Sequence, residues 1–464
     1  MAREPKRVRI TSIRNLNKTF LYWAIVVFVL KLLIIFNIES GSIEISGRPF
    51  LLDGIWLGAD GENYLKGYDA LSRDGLFSKE EILNYWPAGY PLAILFLSLL
   101  GKSWLLTTLS VIQSLIFSYA VYFFATELSK TKLKKIAYLV LLMLLFNPTL
   151  SLSSITVGYE SLIASGLLLA VGLVIRSFVT KNDKKFFKYL IVSSAIFGFL
   201  SFVQPRLIVT GLFISIVWIS VYKGVRGGAL LIALSVAITL FLPATLIYRN
   251  NQAVGIKSIS TNLGATMNIG AGDNATGGYM LKDFGVPCNS TGTVSEKDIQ
   301  VIKCVVRWYL ENPKKTLSLF YYKTIFFWSP WINNGFAGDV FTGTMYRNPW
   351  LKISPLTNIA KNEDGANLIL GTFGKVFSWL WLVGGLGLVL YGYFTLWRQN
   401  SLERFIGNLA MVAVTTNWVI TLFTIGDHRF RVPIMGLSLF LQAVGLKTLF
   451  NGGKAPIVDG PSLR

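Results

Sequence analysis

Residues 19–38 read TFLYWAIVVFVLKLLIIFNI, an apolar run interrupted by one basic residue, Lys31. A helix needs roughly 20 such residues, at about 1.5 Å each, to cross the hydrocarbon core of a bilayer. A basic leader, Met1 to Lys18, precedes the run. The run is full length rather than the short apolar core of a cleaved leader, so it is expected to stay as a first span. The chain then opens into a polar loop that carries Gly58-Ala59-Asp60-Gly61-Glu62-Asn63-Tyr64 and, further on, Tyr85-Trp86-Pro87-Ala88-Gly89-Tyr90-Pro91. Clustered acids in a loop beside a membrane point to an enzyme rather than a channel.

The rest of the chain repeats the alternation. Of its 464 residues 53% are hydrophobic, and ten spans are expected: 19–38, 103–126, 135–150, 156–177, 187–203, 207–223, 227–247, 372–395, 405–424 and 431–449. Segment 91–101 reads as an interfacial lead-in to the second. The fold class is therefore an all-α polytopic membrane protein, one membrane-embedded domain over 1–464 with two large exterior loops, 39–90 and 248–371. A net charge of +20 would suit a nucleic-acid binder. Here the basic residues sit in short turns between apolar runs: Arg3 to Lys18, Lys130 to Lys135, Arg176 to Lys188, Lys223 with Arg226, and Arg398 with Arg404. Ten spans put all of them on one side, which the positive-inside rule makes cytoplasmic, with both termini. Nucleic acid is excluded as a partner; membrane lipids are the surroundings.

In the second loop the aromatic stretch Leu317–Trp331 reads as interfacial or re-entrant, because a crossing there would invert the later basic turns. Residues 299–310 read as an amphipathic helix, and the Gly- and Pro-bearing tail 451–464 as disordered. The loop also holds the chain's two cysteines, Cys288 and Cys304. An oxidising exterior favours a disulfide between them, with two unpaired thiols as the other reading. A single histidine, His428, rules out a His-rich metal site; a carboxylate-held divalent ion is compatible with the sequence but nothing in it calls for one.

Five groups of residues carry chemistry. Asp60 and Tyr64 are four apart, so they share a helical face that runs on through Tyr68 and Leu71 to a stop at Gly75. Asp60 and Glu62 lie at that helix's start, where the dipole favours carboxylates; the bland role is capping, the sharp one general base catalysis. Tyr248-Arg249-Asn250 leaves a span and precedes Ser260-Thr261-Asn262-Leu263-Gly264 and Asn268 through Gly277, where glycines and neutral donors suit sugar hydroxyls or phosphate oxygens, or plain surface turns. Asn274-Ala275-Thr276 and Asn289-Ser290-Thr291 also match glycosylation acceptors. Arg429 and Arg431, in Gly426-Asp427-His428-Arg429-Phe430-Arg431-Val432-Pro433, bring guanidinium groups to the exterior face, against the charge trend, as phosphate forks or headgroup anchors. Glu160 is an acid at the outer end of a span, functional by default or a partner for Arg206 at the same level. Lys31 is expected to snorkel or pair.

In this order the pieces resemble the GT-C superfamily of integral membrane glycosyltransferases, nearest the protein O-mannosyltransferase and lipid A aminoarabinose transferase group with its bacterial cell-envelope members. The matching pieces are Asp60, Tyr64 and Gly75; Trp86-Pro87-Ala88-Gly89-Tyr90-Pro91, with Ala88 for a second proline; Glu160; Pro205-Arg206; Arg249-Asn250; residues 260–277; and Arg429 to Pro433. The family's Asp-Glu dipeptide is spaced here as Asp60-Gly61-Glu62, which leaves open which acid is the base, and Tyr68 stands where a small residue is common. The resemblance implies a GT-C fold and inverting transfer of a hexose or pentose from a polyprenyl-phosphate sugar to a glycan, lipid or protein hydroxyl at the exterior face of a bacterial inner membrane, with no cofactor assigned and a divalent metal compatible but unsupported. It implies Asp60 or Glu62 as base. Donor phosphate would fall to Arg429 and Arg431 first, then Arg249 and Arg206, and substrate contacts to Tyr64, Glu160, Tyr90, Asn262, Asn268 and Asn274. The competing class is a polytopic lipid or glycan transporter or flippase. Such proteins carry ionisable residues at mid-membrane in repeated halves, whereas this chain keeps its acids and arginines at one face and its halves differ.

Overall fold

The opening apolar run is part of one continuous helix, α1 (Pro5–Ile35). In the computed structural model, which describes residues 5–58, 60–279, 285–329, 374–399 and 402–455, a compact first loop follows. It starts with a hairpin of β1 (Gly41–Ile45) and β2 (Arg48–Leu52), antiparallel with Gly41 opposite Leu52. Then come a two-residue strand β3 (Trp56–Leu57), α2 (Gly61–Asp74), α3 (Ile82–Tyr85) and α4 (Gly89–Ser98). The last of these occupies the expected interfacial segment. The strands were not anticipated: each is too short for a period-2 pattern to stand out.

Next come α5 (Leu105–Leu128), α6 (Lys134–Phe146) and α7 (Pro148–Leu152). The expected third span is thus broken, with a 57° bend. Asn147 causes it: extended backbone is what a residue before proline prefers, and its side chain accepts from the Leu150 N–H at 2.8 Å, restarting the helix. A second two-residue strand, β4 (Thr156–Val157), delays the fourth span to α8 (Glu160–Thr180). The remaining elements are α9 (Asp183–Val203), α10 (Leu207–Lys223), α11 (Val225–Val254), α12 (Leu263–Ile269), α13 (Val294–Glu311), α14 (Pro313–Trp328), α15 (Gly374–Trp397), α16 (Leu402–Phe423) and α17 (Val432–Phe450). The expected amphipathic helix is α13, started by a capping box in which Thr293 and Glu296 satisfy each other's backbone. The aromatic stretch is α14, which packs on α16.

Among the described residues eight helices are long and apolar enough to cross a membrane, and the bent α6–α7 pair makes a ninth. The one expected span left over, the sixth (207–223), is α10, 17 residues long and so about 26 Å, packed against α9, α11 and α16. Residues 330–371 of the second loop, the start of the eighth expected span and tail residues 456–464 lie outside the described residues. The chain is an all-α polytopic membrane protein. Its centre is α8 and the span that contains α17, whose apolar windows are 72% and 78% buried, against 28% for α1 and 22% for α11. Small residues permit that closeness: Leu200 of α9 lies against Gly166 and Phe123 of α5 against Gly172. These two central helices begin at the same place.

Candidate active site

Strands β3 and β4 pair in parallel, Trp56 opposite Thr156 and Leu57 opposite Val157. Glycine is required at position 58, because a Cβ there would stand 2.5 Å from the Val157 carbonyl oxygen. Past the bridge both segments turn into helices. Asp60 becomes the N-cap of α2 and Glu160 the first residue of α8, both where a helix dipole favours a carboxylate. Beneath them Tyr90 accepts from the Gly158 N–H at 3.0 Å and donates to Gln113 Oε1 at 3.2 Å, while Gln113 donates to the Ser154 and Thr156 carbonyls. Tyr90 therefore positions β4 from below and does not line the cavity.

Arg429 enters from the turn between α16 and α17. Asp427 caps that turn, its Oδ1 accepting from the Arg429 N–H at 2.8 Å. The guanidinium then bridges the two acids: Nη1 lies 2.5 Å from Asp60 Oδ2, and Nε donates to Glu160 Oε1 at 2.6 Å. Nη2 reaches the Tyr64 hydroxyl at 3.4 Å, and the Tyr159 ring centroid lies 5.7 Å away. All three ionic side chains are 5% exposed or less. Two carboxylates share one cation, so the trio keeps a formal charge of −1. The capping role weighed for Asp60 is not the one seen: its side chain makes no cap bond, and its Oδ1 is buried without a hydrogen-bond partner among the described residues. Glu160 pairs with Arg429 rather than Arg206. Burial pushes the Tyr64 phenol well above its usual value, and the charges of Asp60 and Glu160 push it further.

Asp60 and Arg429 border a cavity of about 600 Å³. Membrane helices α10 and α16 contribute apolar lining, among it Val209, Val419 and Phe423, while the two large loops contribute Tyr85, Trp86, Asn262, Thr266 and Tyr279. Arg206 also lines it, packed 4.8 Å from the Phe430 ring centroid. Its Nε and Nη2 have no hydrogen-bond partner among the described residues, and burial lowers its pKa. An unpaired guanidinium in an enclosed site is a ready seat for a phosphate.

The cavity therefore gathers Asp60, Tyr64, Arg206, Asn262 and Arg429, with Glu160 behind them. Other expected site residues lie elsewhere. Glu62 is exposed and paired with Lys66 at 2.7 Å. The Arg249 guanidinium is engaged by the first loop, donating to the carbonyls of Leu76, Ser78 and Leu83 and to Asn84 Oδ1. Arg431 donates to the Trp328 and Ser329 carbonyls at the end of α14. Neither arginine lines the cavity, so both depart from the phosphate role expected of them: carbonyls in the loop between α2 and α3, within α3 and at the end of α14 compete for guanidinium donors. Asn268 holds the Val286 N–H at 2.7 Å, and Asn274 is exposed. Cys288 and Cys304 are disulfide-bonded, their Cα atoms 6.0 Å apart. Lys31 is buried, donating to Ser154 Oγ at 3.0 Å above the Phe117 ring.

Residues that sequence reasoning did not single out are Tyr159, Gln204 and Tyr279. Gln204 donates to the Tyr159 hydroxyl at 2.6 Å; the signal for that pair was the polar Gln204-Pro205-Arg206 turn between two apolar spans. Among the described residues no three His, Cys, Asp or Glu side chains gather as metal ligands.

No family model matches the chain, and no curated protein matches it. Among solved structures it is similar to the archaeal oligosaccharyltransferase AglB from Archaeoglobus fulgidus in complex with an inhibitory peptide and a dolichol-phosphate. The identity is 12% and the TM-score 0.47, over 93% of this chain and 51% of that one. The chain spans about half the length of that structure, and at this level of likeness no residue's role carries over.

Proposed function

We propose that the chain is a membrane glycosyltransferase of GT-C type that moves a sugar from a polyprenyl-phosphate donor to an acceptor hydroxyl at the extracytoplasmic face. One juxtaposition supports this reading. A buried carboxylate with a free oxygen, Asp60, shares a cavity with an unpaired guanidinium, Arg206, and with apolar lining from two membrane helices. A lipid-phosphate sugar has the matching parts.

Asp60 Oδ1 takes the proton of the acceptor hydroxyl, whose oxygen attacks the anomeric carbon. The bond from that carbon to the phosphate oxygen breaks, the carbon inverts, and polyprenyl phosphate leaves with the bonding electrons. Its developing charge falls to Arg206, where a fixed cation in a water-poor site counts most. Arg429 orients Asp60 through Oδ2. Because Glu160 claims the same guanidinium, Asp60 is held without being fully neutralised.

The test uses the full chain in nanodiscs with a panel of polyprenyl-phosphate sugars, reading release of free polyprenyl phosphate. Asp60→Asn is expected to lower turnover by about 10²- to 10⁴-fold, the usual worth of a general base. Wild-type turnover in that variant removes Asp60 from the role. Movement of intact lipid across a bilayer, with no phosphate released, favours the transporter.

A further inference from the structure

We infer that the acceptor is a neutral saccharide, seated on an aromatic subsite that the two exterior loops build together. This rests on the transferase reading and deepens it.

Tyr85, the last residue of α3, and Trp86 after it line the cavity with ring centroids 5.5 Å apart and planes at 82°. Both are half-buried, as is Tyr279 from the second loop. Ser260 and Asn262 supply hydroxyl and amide beside them, bonded to each other at 3.3 Å. Flat ring faces and neutral hydrogen-bonding groups are what the apolar faces and hydroxyl edges of a sugar require. The group stands close to the base. Burial raises the phenols of Tyr85 and Tyr279, and the charge of Asp60 acts on both.

The subsite is held in place by bonds within the protein. Thr261 donates to the Asn84 carbonyl through its N–H at 3.0 Å and its hydroxyl at 3.2 Å, tying the second loop to the residue before Tyr85. Arg249 clamps residues 76–84 from the side, and the Asn250 amide donates to the Ser258 and Ile259 carbonyls. The arginine expected on phosphate is thus a positioning residue for this subsite.

The same bonds argue against other acceptors. An extended peptide is read through a free run of backbone groups, but the carbonyls of Ser258 and Ile259 and the N–H of Thr261 are already paired. An anionic acceptor calls for a cation from the loops. Among the described residues the two that line the cavity, Arg206 and Arg429, come from the α9–α10 and α16–α17 turns, and Arg429 already serves two acids.

Saturation-transfer NMR on the full chain in nanodiscs, free of sugar-headed detergent, tests this. The probes are a mixture of neutral hexose disaccharides and a Ser/Thr hexapeptide. Saturation is expected on sugar ring protons, falling about three- to tenfold in Trp86→Leu and in Tyr279→Leu, roughly one aromatic contact each, and kept in Trp86→Tyr. Saturation on the peptide alone, or sugar signals equal in wild type and Trp86→Leu, would overturn the inference. Sugar signals that respond to Trp86 with no lipid phosphate released in the turnover assay would sink the donor reading and leave the subsite standing. Phosphate release without sugar binding does the reverse.

Discussion

Asp60 and Glu160 stand in matched register: Leu57 pairs with Val157, and each acid follows its paired residue by three positions. A two-residue parallel bridge therefore sets the separation of the two carboxylates, and a guanidinium from the far end of the chain fits between them. Neither acid could be buried there alone, since an unpaired charge in such a setting carries a penalty of several kcal/mol.

Arg429→Met is accordingly expected to be among the most damaging single changes. It strands two buried carboxylates, and removing one partner of a buried pair costs about 3–5 kcal/mol. Thermal unfolding in nanodiscs should shift down by several degrees. Adding Asp60→Asn and Glu160→Gln to Arg429→Met should recover most of the loss without restoring turnover. A triple variant as unstable as the single one would mean that packing, not charge, is what Arg429 supplies.

Arg206 should behave oppositely. Its Nε and Nη2 lack hydrogen-bond partners among the described residues, so Arg206→Gln removes a desolvated cation and should leave the melting temperature level or higher. The apparent KM for the lipid-phosphate donor should rise about tenfold or more, in line with a charged hydrogen bond of roughly 1.5–3 kcal/mol. Donor kinetics beside a melting curve read both signs; unchanged donor KM would clear Arg206 of the phosphate role.

Lys323 on α14 gives a pH dependence. It is buried, with Nζ donating to the Tyr309 hydroxyl and the Leu422 carbonyl, each at 2.9 Å, and burial pulls its pKa down to about 7. The unfolded value is near 10.4. Between those limits the unfolded chain holds a proton that the folded one lacks, so stability should rise with pH from about 7 to 10 and be lowest below 7. Lys323→Met should flatten that slope in melting curves taken across the range.

Reduction of Cys288–Cys304 should loosen the second loop. The bond links residues 16 apart, worth about 3 kcal/mol by chain entropy. Hydrogen exchange should quicken in α12 and α13 on adding dithiothreitol and in Cys288→Ser with Cys304→Ser, and no change in either would mean the capping box and packing hold that loop unaided.

Apolar runs made the membrane helices legible, because the length needed to span a bilayer is a strong constraint on composition. The four-residue spacing of Asp60 and Tyr64 likewise marked the face of α2 that meets the cavity. What stayed hidden was partner choice. Four arginines stood at the outer level, and nothing local distinguished Arg429, which finds two acids, from Arg249 and Arg431, which find carbonyls. For Glu160 the sequence offers Arg206, 46 positions on, as one partner, whereas the fold brings Arg429 from the α16–α17 turn instead. The β3–β4 bridge, two residues on each side, left no pattern to read.

The shared guanidinium also orders biosynthesis. Residues 60 and 160 emerge from the ribosome long before residue 429, and until the final helix is inserted their charges have no counterpart to draw them out of water. The centre can close only when the last span arrives, so a nascent chain stopped short of that point would hold its two acids hydrated and its active site unassembled.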